Sequence, residues 1–223
     1  TKIYCDIADL NLIKKYNKKT IVKGFTTNPS LMRKAGAKDY LEYCKKIIKI
    51  TSKPVSIEVF ADDEKKIIYQ AEIINKLGKN VFVKIPVTNS KGKFLGKVIS
   101  KLNKRKIKLN ITAVYTHKQT KNILKKINNK NKVIISIFAG RMSDLGKDPV
   151  YQIKESIKLA KKFKNVEILW ASTREAYNFL NAKKLGCHII TIPPSIIEKI
   201  ENFGKSFNNL TVDTVKGFLI DSK

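Results

Sequence analysis

Short apolar segments alternate with longer amphipathic segments along the whole chain. Eight runs are rich in Val, Ile and aromatic residues, which favour β-strands, and most of them end in turn-forming or cap-forming residues. These runs are KIYCDIA, IVKGFTT, VSIEVFA, VFVKIPV, IKLNITA, VIISIFA, VEILWAS and IITIPP. Segments between them, such as EKKIIYQAEIINKL and VYQIKESIKLAKKF, place apolar residues every three or four positions and lysines on the other face. That spacing is typical of amphipathic helices, so the pattern predicts eight β/α units.

Eight β/α units in 223 residues favour an α/β fold. The predicted architecture is a single (β/α)8 TIM barrel over residues 1–223. A doubly wound open sheet is the alternative, and a Gly-rich loop after the first strand would favour it, but DIADLNLIKKY has no such loop. The tail NNLTVDTVKGFLIDSK follows the eighth unit. We expect it to form a short C-terminal helix that covers the barrel or packs on another subunit.

Four polar residues recur at equal spacing in the predicted strands three to six. Glu58, Lys84, Asn110 and Ser136 are each 26 residues apart. Equal spacing over equal β/α units predicts similar heights on neighbouring strands. A barrel interior normally holds branched apolar side chains, so a polar ring there indicates a functional site. The alternative is a set of satisfied core polar groups, or a lysine that extends its amine to the rim.

Lys84 lies in the middle of VFVKIPV, the most apolar of the predicted strands. Burial disfavours the charged form of a lysine, and a neutral amine is a nucleophile towards carbonyl groups. Glu58 on the neighbouring strand could relay protons to or from this amine, directly or through a water, and Asp6 on the first strand could act as a second acid or base. The arrangement suits Schiff-base chemistry that needs no cofactor.

The charge of the chain invites a nucleic-acid hypothesis, because 46 basic and 18 acidic residues give a formal net charge of +28. Only four of the basic residues are Arg, and the lysines are spread along the whole chain. Side chains that form two hydrogen bonds to one base or phosphate are therefore scarce, and we expect no specific nucleic-acid partner. Nonspecific attraction to polyanions and attraction of anionic substrates both follow from the charge.

The cellular compartment and the metal content of the protein are predicted from features that the sequence lacks. The apolar runs are shorter than the roughly 20 residues needed to span a bilayer, and TKIYCDIADL does not resemble a signal peptide. The three cysteines have no metal-type spacing and are expected to be free thiols. His117 and His188 stand alone, so no metal site is predicted. The expected location is the cytoplasm, without membrane contact.

Six motifs, in order and on the predicted strands, resemble those of the transaldolase family. They are DIAD, GFTTNPSLM, VKIPVT, LNIT, SIFAGRMSD and WASTRE. The resemblance extends from about residue 2 to the eighth strand. The chain length is similar to that of the small subfamily that also contains fructose-6-phosphate aldolases.

The resemblance implies roles for four residues in the chemistry. Lys84 would attack the C2 ketone of a ketose phosphate and form a carbinolamine and then a Schiff base. Asp6 would take the proton of the C4 hydroxyl as the C3–C4 bond breaks. Glu58 and Thr112 would hold a water that handles protons during dehydration and hydrolysis. The aldose phosphate would leave, and a three-carbon enamine would remain on the lysine.

The resemblance also implies a substrate-binding set. One group would hold the hydroxyls of the dihydroxyacetone unit, and two arginines would grip the phosphate, as suits the bidentate geometry of Arg. The first group is Thr26, Asn28, Asn110 and Ser136; the arginines are Arg141 and Arg174. From the residues alone, the alternative for TTNPS is an Asn-Pro turn that caps a helix. The alternative for Arg141 is an ordinary salt-bridging surface residue, and the alternative for Arg174 is a role in helix packing.

Phe138 distinguishes the two enzyme functions that the resemblance allows, a transaldolase and a fructose-6-phosphate aldolase. It stands two residues after Ser136, so it should point into the same lumen. The resemblance implies Phe here in transaldolases and Tyr in the related aldolases, and Glu58 where the aldolases have Gln. Both features favour a transaldolase that transfers dihydroxyacetone over an aldolase that releases it.

The expected partners are sugar phosphates: fructose 6-phosphate, sedoheptulose 7-phosphate, erythrose 4-phosphate and glyceraldehyde 3-phosphate. The family resemblance implies carbohydrate metabolism in the pentose phosphate pathway, no cofactor and a homo-oligomer. A basic binding protein on a catalytically silent barrel is the alternative from a different class, and the intact set of Lys84, Asp6 and Glu58 argues against it.

Overall fold

Eight parallel strands close into a barrel in which each strand pairs with the next along the chain and β8 pairs with β1. A computed structural model of the chain describes residues 1–222; Lys223, the last residue of the predicted domain, lies outside the described residues. The predicted (β/α)8 barrel is confirmed. Its strands are β1 Lys2–Asp6, β2 Val22–Thr26, β3 Val55–Glu58, β4 Val81–Pro86, β5 Leu109–Val114, β6 Val133–Phe138, β7 Val166–Ala171 and β8 Ile189–Ile192.

Helices follow every strand and form the outer layer. They are α1 Leu10–Asn17, α2 Pro29–Lys34, α3 Tyr40–Ile50, α4 Glu64–Asn75, α5 Gly96–Lys104, α6 His117–Leu124, α7 Ala139–Ser143, α8 Val150–Ala160, α9 Tyr177–Lys184, α10 Pro194–Glu201 and α11 Phe207–Asp221. Side-chain caps fix several of their starts. Asp9, Asp39 and Asp63 each accept a backbone N–H of the first turn of their helix, and Thr116 forms a capping box with Gln119.

The main core lies between the barrel and the helices. Outward-facing strand residues such as Cys5, Phe25 and Ile57 are fully buried against helix residues such as Ile13 and Ile47. The alternation of side chains along each strand places the next residues in the barrel interior. The lysine-rich helix faces that the sequence pattern predicted are on the outside.

The barrel interior is divided into an apolar floor and a polar upper layer. The floor is a separate cluster built from one or two residues of several strands: Tyr4, Phe82, Ile134, Leu169, Ala171 and Ile189. Gly24 on β2 makes room for it, because a Cβ on this residue would lie only 2.6 Å from the Tyr4 ring. Above the floor, the next inward residues on the strands are polar. A barrel interior that is normally apolar throughout therefore changes character towards the carboxyl ends of its strands.

The register of the strands agrees with the prediction of one polar level for three of the four equally spaced residues. Glu58 pairs with Lys84, and Lys84 pairs with Asn110. Asn110 pairs with Ile134 instead of Ser136, and the register shifts further along β5, where Ala113 has a positive φ of 58°. This irregularity is a β-bulge in effect, and bulges are common near active sites.

The limits of the predicted elements differ from the structure at the carboxyl ends of the strands. The run IITIPP was assigned wholly to a strand, but β8 ends at Ile192 and Pro194 begins α10. The short helix α7 lies inside the motif SIFAGRMSD and was not predicted. No helix among residues 1–222 is long and apolar enough to cross a membrane.

Candidate active site

A cavity of about 590 Å³ opens at the carboxyl ends of the strands. This end of a TIM barrel is where active sites of the fold lie. All eleven predicted site residues line the cavity, although they come from seven of the eight β/α units. They are Asp6, Thr26, Asn28, Glu58, Lys84, Asn110, Thr112, Ser136, Phe138, Arg141 and Arg174.

Lys84 lies at the inner end of this cavity and is 8% exposed. Its Nζ lies 3.0 Å from Oε2 of Glu58 and donates a hydrogen bond of 3.1 Å to the backbone oxygen of Thr27. The ion pair offsets the cost of placing an amine in a mostly apolar strand. It also puts a proton acceptor within direct reach of the amine. The side chain is buried and paired, so it does not reach the rim to find water.

Asp6 ends β1 on the opposite side of the barrel from β4 and β5. Its Oδ1 accepts a hydrogen bond of 2.6 Å from the hydroxyl of Thr26. Burial raises the pKa of the Asp6 carboxyl, while the charge of Lys84 and the hydrogen bond from Thr26 act in the opposite direction. A carboxyl with a raised pKa is a stronger base when ionised, which suits proton abstraction near neutral pH.

Asn110 and Ser136 are held by each other. Ser136 donates its hydroxyl to the side-chain oxygen of Asn110 at 2.7 Å, and the Asn110 amide donates to Ser56 Oγ at 2.9 Å. Thr112, two residues further along β5, is buried, and its hydroxyl has no hydrogen-bond partner among the described residues. A buried hydroxyl that the protein leaves unsatisfied is a ready contact for a substrate oxygen or a water.

Asn28 and Phe138 line opposite parts of the cavity wall. The side-chain oxygen of Asn28 caps α2 by accepting the N–H of Leu31 at 2.9 Å, so the alternative interpretation of TTNPS as a turn that caps a helix is confirmed. The amide nitrogen of Asn28 is not needed for the cap. Phe138 at the end of β6 packs edge-on against Tyr115 with ring centroids 5.9 Å apart. Its ring supplies an apolar surface beside Ser136.

The two arginines differ in their surroundings. Arg174 makes a forked contact with Asp144, from Nε to Oδ1 at 3.0 Å and from Nη2 to Oδ2 at 2.6 Å, and Nη1 donates to the backbone oxygen of Ser172 at 3.2 Å. Two of the five guanidinium N–H groups are left over for a ligand. Arg141, in α7, has its guanidinium carbon 5.1 Å from the centroid of the Phe138 ring. The surface ion pair that was the alternative for Arg141 is found instead at Arg174, which still lines the cavity.

Several lining residues were not singled out in the sequence. Thr191 on β8 and Thr173 after β7 are both buried. Ser172 has a positive φ of 63°, and with Ala113 it is one of two strained non-glycine residues on the cavity wall. Backbone strain of this kind is concentrated at functional sites. Ser172 lies within the quoted motif WASTRE, but its conformation is set by the loop and leaves no mark in the composition.

The two histidines lie outside the cavity. His117 at the start of α6 contacts Gln152 through Nδ1 at 2.9 Å, and His188 accepts the backbone N–H of Ile168 at 3.1 Å. Over residues 1–222, the structure brings together no group of three or more His, Cys, Asp or Glu side chains that could hold a metal ion.

Comparison with known proteins gives a consistent result over nearly the whole chain. A family model described as "Transaldolase/Fructose-6-phosphate aldolase" matches residues 3–222. A protein of Methanococcus maripaludis strain C7 named "Probable transaldolase" is 33% identical over 221 residues, which cover 99% of this chain and 96% of that protein. One of the same name from Thermoanaerobacter sp. strain X514 is 33% identical over 197 residues, 88% of this chain and 87% of that one.

Among solved structures, the 4-hydroxy-tetrahydrodipicolinate synthase of Methylacidiphilum fumariolicum SolV superposes with a TM-score of 0.60 at 13% identity. The match covers 87% of this chain and 68% of that one. At this identity the likeness concerns the barrel fold alone.

Proposed function

The chain belongs to the transaldolase/fructose-6-phosphate aldolase family, and from this premise we propose that it is a transaldolase that transfers dihydroxyacetone from a ketose phosphate to an aldose phosphate. The observation that carries the proposal is the position of Lys84. Its amine lies buried at the inner end of the cavity, 3.0 Å from one carboxylate and across the lumen from a second, buried one.

The proposed first step is Schiff-base formation on Lys84. Glu58 removes a proton from the ammonium, and the free amine attacks the C2 carbonyl of the ketose phosphate. Loss of the resulting hydroxyl as water leaves an iminium ion. The contact between Nζ and Oε2 of Glu58 supports this role, because the carboxylate can accept and return protons without moving.

The proposed second step is cleavage of the C3–C4 bond. Asp6 takes the proton of the C4 hydroxyl, the C4 oxygen forms the aldehyde of the leaving aldose phosphate, and the bonding electrons pass to the iminium to give an enamine. The raised pKa of Asp6 supports its role as this base. The acceptor aldehyde then adds at C3 by the reverse route, and hydrolysis frees Lys84.

The polar residues that line the cavity support the proposed binding of the three-carbon unit. Asn110 and Ser136 are fixed by their own hydrogen bonds, and this rigidity supports their proposed contact with the hydroxyls of the enamine. The unsatisfied hydroxyl of Thr112 supports its assignment to a water or substrate oxygen near Glu58. Arg141 and the two spare N–H groups of Arg174 support phosphate binding at the rim.

Phe138 favours transfer over release. Release of free dihydroxyacetone requires a proton on C3 of the enamine, and a Tyr hydroxyl at this position would help to supply it. The Phe ring supplies no proton, so the enamine waits for an aldehyde. The alternative function is an aldolase of the fructose-6-phosphate type, which releases dihydroxyacetone.

The deciding experiment measures glyceraldehyde 3-phosphate formed from fructose 6-phosphate, with and without erythrose 4-phosphate. A transaldolase should turn over only with the acceptor, and should release at most about one equivalent per site without it. Phe138→Tyr should shift the balance towards turnover without acceptor. Rapid acceptor-free cleavage by the unmodified protein would replace the proposal with the aldolase function.

Borohydride trapping tests the role of Lys84. Reduction in the presence of fructose 6-phosphate should add one sugar-derived mass to the peptide that holds Lys84, and Lys84→Met should lose both the label and the activity. Lys108 is a suitable control, because burial lowers its pKa and it lies outside the cavity. Lys108→Met should keep both. Labelling of another peptide would overturn the assignment, and no covalent mass at all would favour a binding protein.

The remaining parts of the proposal concern partners and location. The substrates are fructose 6-phosphate, sedoheptulose 7-phosphate, erythrose 4-phosphate and glyceraldehyde 3-phosphate, in the cytoplasm and the pentose phosphate pathway, with no cofactor and no specific nucleic acid. We also propose a homo-oligomer. Every residue of α11 except Gly217 is exposed, including Phe207, Leu210, Phe218 and Ile220, and an apolar helix of this kind needs a covering surface.

A further inference from the structure

Thr191 contacts the proposed base through one intermediate hydroxyl. It lies on β8, is buried, and lines the cavity. Its Oγ1 lies 2.5 Å from Oγ1 of Thr26, and Thr26 in turn donates to Oδ1 of Asp6 at 2.6 Å. Three side chains from β8, β2 and β1 therefore form an uninterrupted chain of hydrogen bonds that ends on Asp6.

The number of available protons determines which group donates in each of these two hydrogen bonds. An ionised carboxylate can only accept, so Thr26 must donate its single hydroxyl proton to Asp6. The bond between the two threonines then has one possible donor, which is Thr191. When the proton of the substrate hydroxyl binds to Oδ1 of Asp6, this oxygen becomes a donor, and both bonds can reverse by rotation of the two hydroxyl groups alone.

We propose that Thr191 is a positioning residue for the carbon–carbon bond cleavage, because its hydroxyl keeps that of Thr26 directed at Asp6 and lets both bonds reverse when Asp6 takes the proton. The inference rests on the proposed function of Asp6 as the base. Removing the hydroxyl of Thr191 should leave Thr26 with a lone pair unsatisfied in a buried position and a weaker hydrogen bond to the carboxylate.

The position of Thr191 is fixed from two directions. Its strand neighbour across the β1–β8 pair is Tyr4, two residues before Asp6. Its backbone oxygen accepts the hydroxyl of Thr173 at 2.8 Å, which ties β8 to the loop after β7. The hydroxyl of Thr191 is therefore held at a constant distance from Thr26 by the barrel frame. Such second contacts are what keep a base in its productive geometry.

Few charged groups face Asp6. Lys84 from β4 is the charge that acts on its pKa, Glu58 from β3 pairs with that lysine, and Cys5 on β1 points to the opposite face, into the outer core. A change at Thr191 alters none of these charges. Because the base must be ionised to work, weaker stabilisation of the carboxylate should move the acidic limb of the rate profile to higher pH.

The test compares Thr191→Val, which keeps the shape of the side chain, with Thr191→Ser, which keeps the hydroxyl. The valine variant should lower kcat for transfer by about three- to tenfold, as expected for one lost hydrogen bond. The acidic limb of the pH–rate profile of this variant should move to higher pH. Trapping of dihydroxyacetone on Lys84 by borohydride, which needs no bond cleavage, should be unchanged. The serine variant should restore rate and profile.

Thr120→Val is the matched control. Thr120 is also buried, and its hydroxyl lies 2.9 Å from that of Ser156, between α6 and α8 and away from the cavity. It should leave the pH profile unchanged. Equal loss of transfer and trapping in Thr191→Val, or an unmoved acidic limb, would overturn the inference and leave Thr191 a packing residue.

A second measurement keeps the inference separate from the proposed function. The Asp6 carboxyl can be titrated in the unliganded protein by 13C NMR, with Asp6→Asn for assignment. A higher midpoint in Thr191→Val supports the inference even if the unmodified protein transfers no dihydroxyacetone. An unchanged midpoint overturns it even if transfer activity is found.

Discussion

A buried lysine and a buried aspartate occupy the same small lumen, and each meets the cost of desolvation in a different way. Lys84 has the carboxylate of Glu58 at 3.0 Å and a backbone carbonyl at 3.1 Å. Asp6 has only hydroxyl contact and a more distant positive charge, so burial dominates and raises its pKa. This difference supports the proposed roles, in which Glu58 exchanges protons with Lys84 and Asp6 takes the proton of the C4 hydroxyl.

Asp6→Asn should stabilise the fold at neutral pH while it removes the proposed activity. A carboxyl with a raised pKa in the folded state contributes stability below the unfolded pKa of about 4 and loses it as the pH rises through the folded pKa. Asn has no charge to desolvate and can still accept from Thr26. Thermal melts at pH 7–8 should therefore show a melting temperature a few degrees higher, since 1 kcal/mol corresponds to about 2–4 °C in a chain of this size.

Asp144→Asn supplies a control of opposite sign. The hydrogen bond and charge of Arg174 lower the pKa of Asp144, so its contribution to stability is present above the unfolded pKa and is lost in acid. This variant should be slightly less stable than the unmodified protein at pH 7–8, and equal to it at low pH. If Asp6→Asn is less stable at every pH, the carboxylate is better satisfied than its surroundings indicate.

The prediction for phosphate binding also concerns single residues. Arg141→Ala and Arg174→Ala should each weaken sugar phosphates by about ten- to a hundredfold, the value of one charge-assisted contact, and leave dihydroxyacetone trapping nearly unchanged. Arg105→Ala is the control, because Arg105 pairs with Glu72 at an exposure close to that of Arg174, far from the cavity. KM measured with phosphorylated and unphosphorylated substrates distinguishes the cases. Equal losses for both would assign the arginines to the fold.

At the scale of elements, the repeat of 26 residues from Glu58 to Lys84 and Asn110 predicted their common level, because regular β/α units place equivalent residues side by side. The same reasoning failed to pair Asn110 with Ser136, because β5 is staggered against β6 so that Asn110 lies beside Ile134, and the stagger of a closed barrel is a property of the assembled sheet. The two side chains still meet, at 2.7 Å.

Contacts between elements that are distant in sequence were the part that the pattern could not predict. The pattern of apolar and polar residues does not pair Arg174 with Asp144, because their forked ion pair depends on how α7 lies against the loop after β7. Thr191 sits in a run that reads as an ordinary buried strand, and its hydroxyl acquires a partner only when β8 closes next to β1 and β2. The alternation of side chains along a strand identifies which residues point into the barrel, but it does not identify their neighbours across the lumen.

Gly140 is where one element approaches another too closely for a side chain. A Cβ at this position in α7 would lie 1.6 Å from the backbone oxygen of Ser172. Gly140→Ala should therefore displace the loop that carries Arg174, cost roughly 1–3 kcal/mol as an overpacked contact, and raise KM for sugar phosphates. Thermal melts and the same substrate pair measure both effects.

Gly217→Ala is the matched control for that substitution. Gly217 lies within α11, and a Cβ there would have no neighbour within 4 Å. Ala is the better helix former by roughly 0.5–1 kcal/mol, so this variant should keep full activity and equal or greater stability. If Gly140→Ala behaves in the same way, the close approach of α7 does not shape the rim of the cavity.

At the scale of the whole molecule, two features act against each other. The net charge of +28 attracts anionic substrates and makes copies of the chain repel one another. The helix α11 is the segment where copies can meet with least repulsion, because residues 207–221 hold two aspartates and one lysine, a net charge of −1. A second copy of this chain is therefore the proposed cover for its apolar residues.

Light scattering after size exclusion should then show an oligomer whose association strengthens with salt. The Debye length falls from about 10 Å at 0.1 M to about 3 Å at 1 M, which screens the repulsion between copies, and high salt does not weaken apolar contacts. Phe218→Gln should weaken association by about tenfold or more, since an exposed aromatic ring would lose its burial in the interface. Tyr69→Gln is the control, because Tyr69 on α4 is 67% exposed and Phe218 is 66% exposed. A protein that stays monomeric at micromolar concentration in high salt, or equal effects of the two substitutions, would mean that α11 does not join copies of this chain.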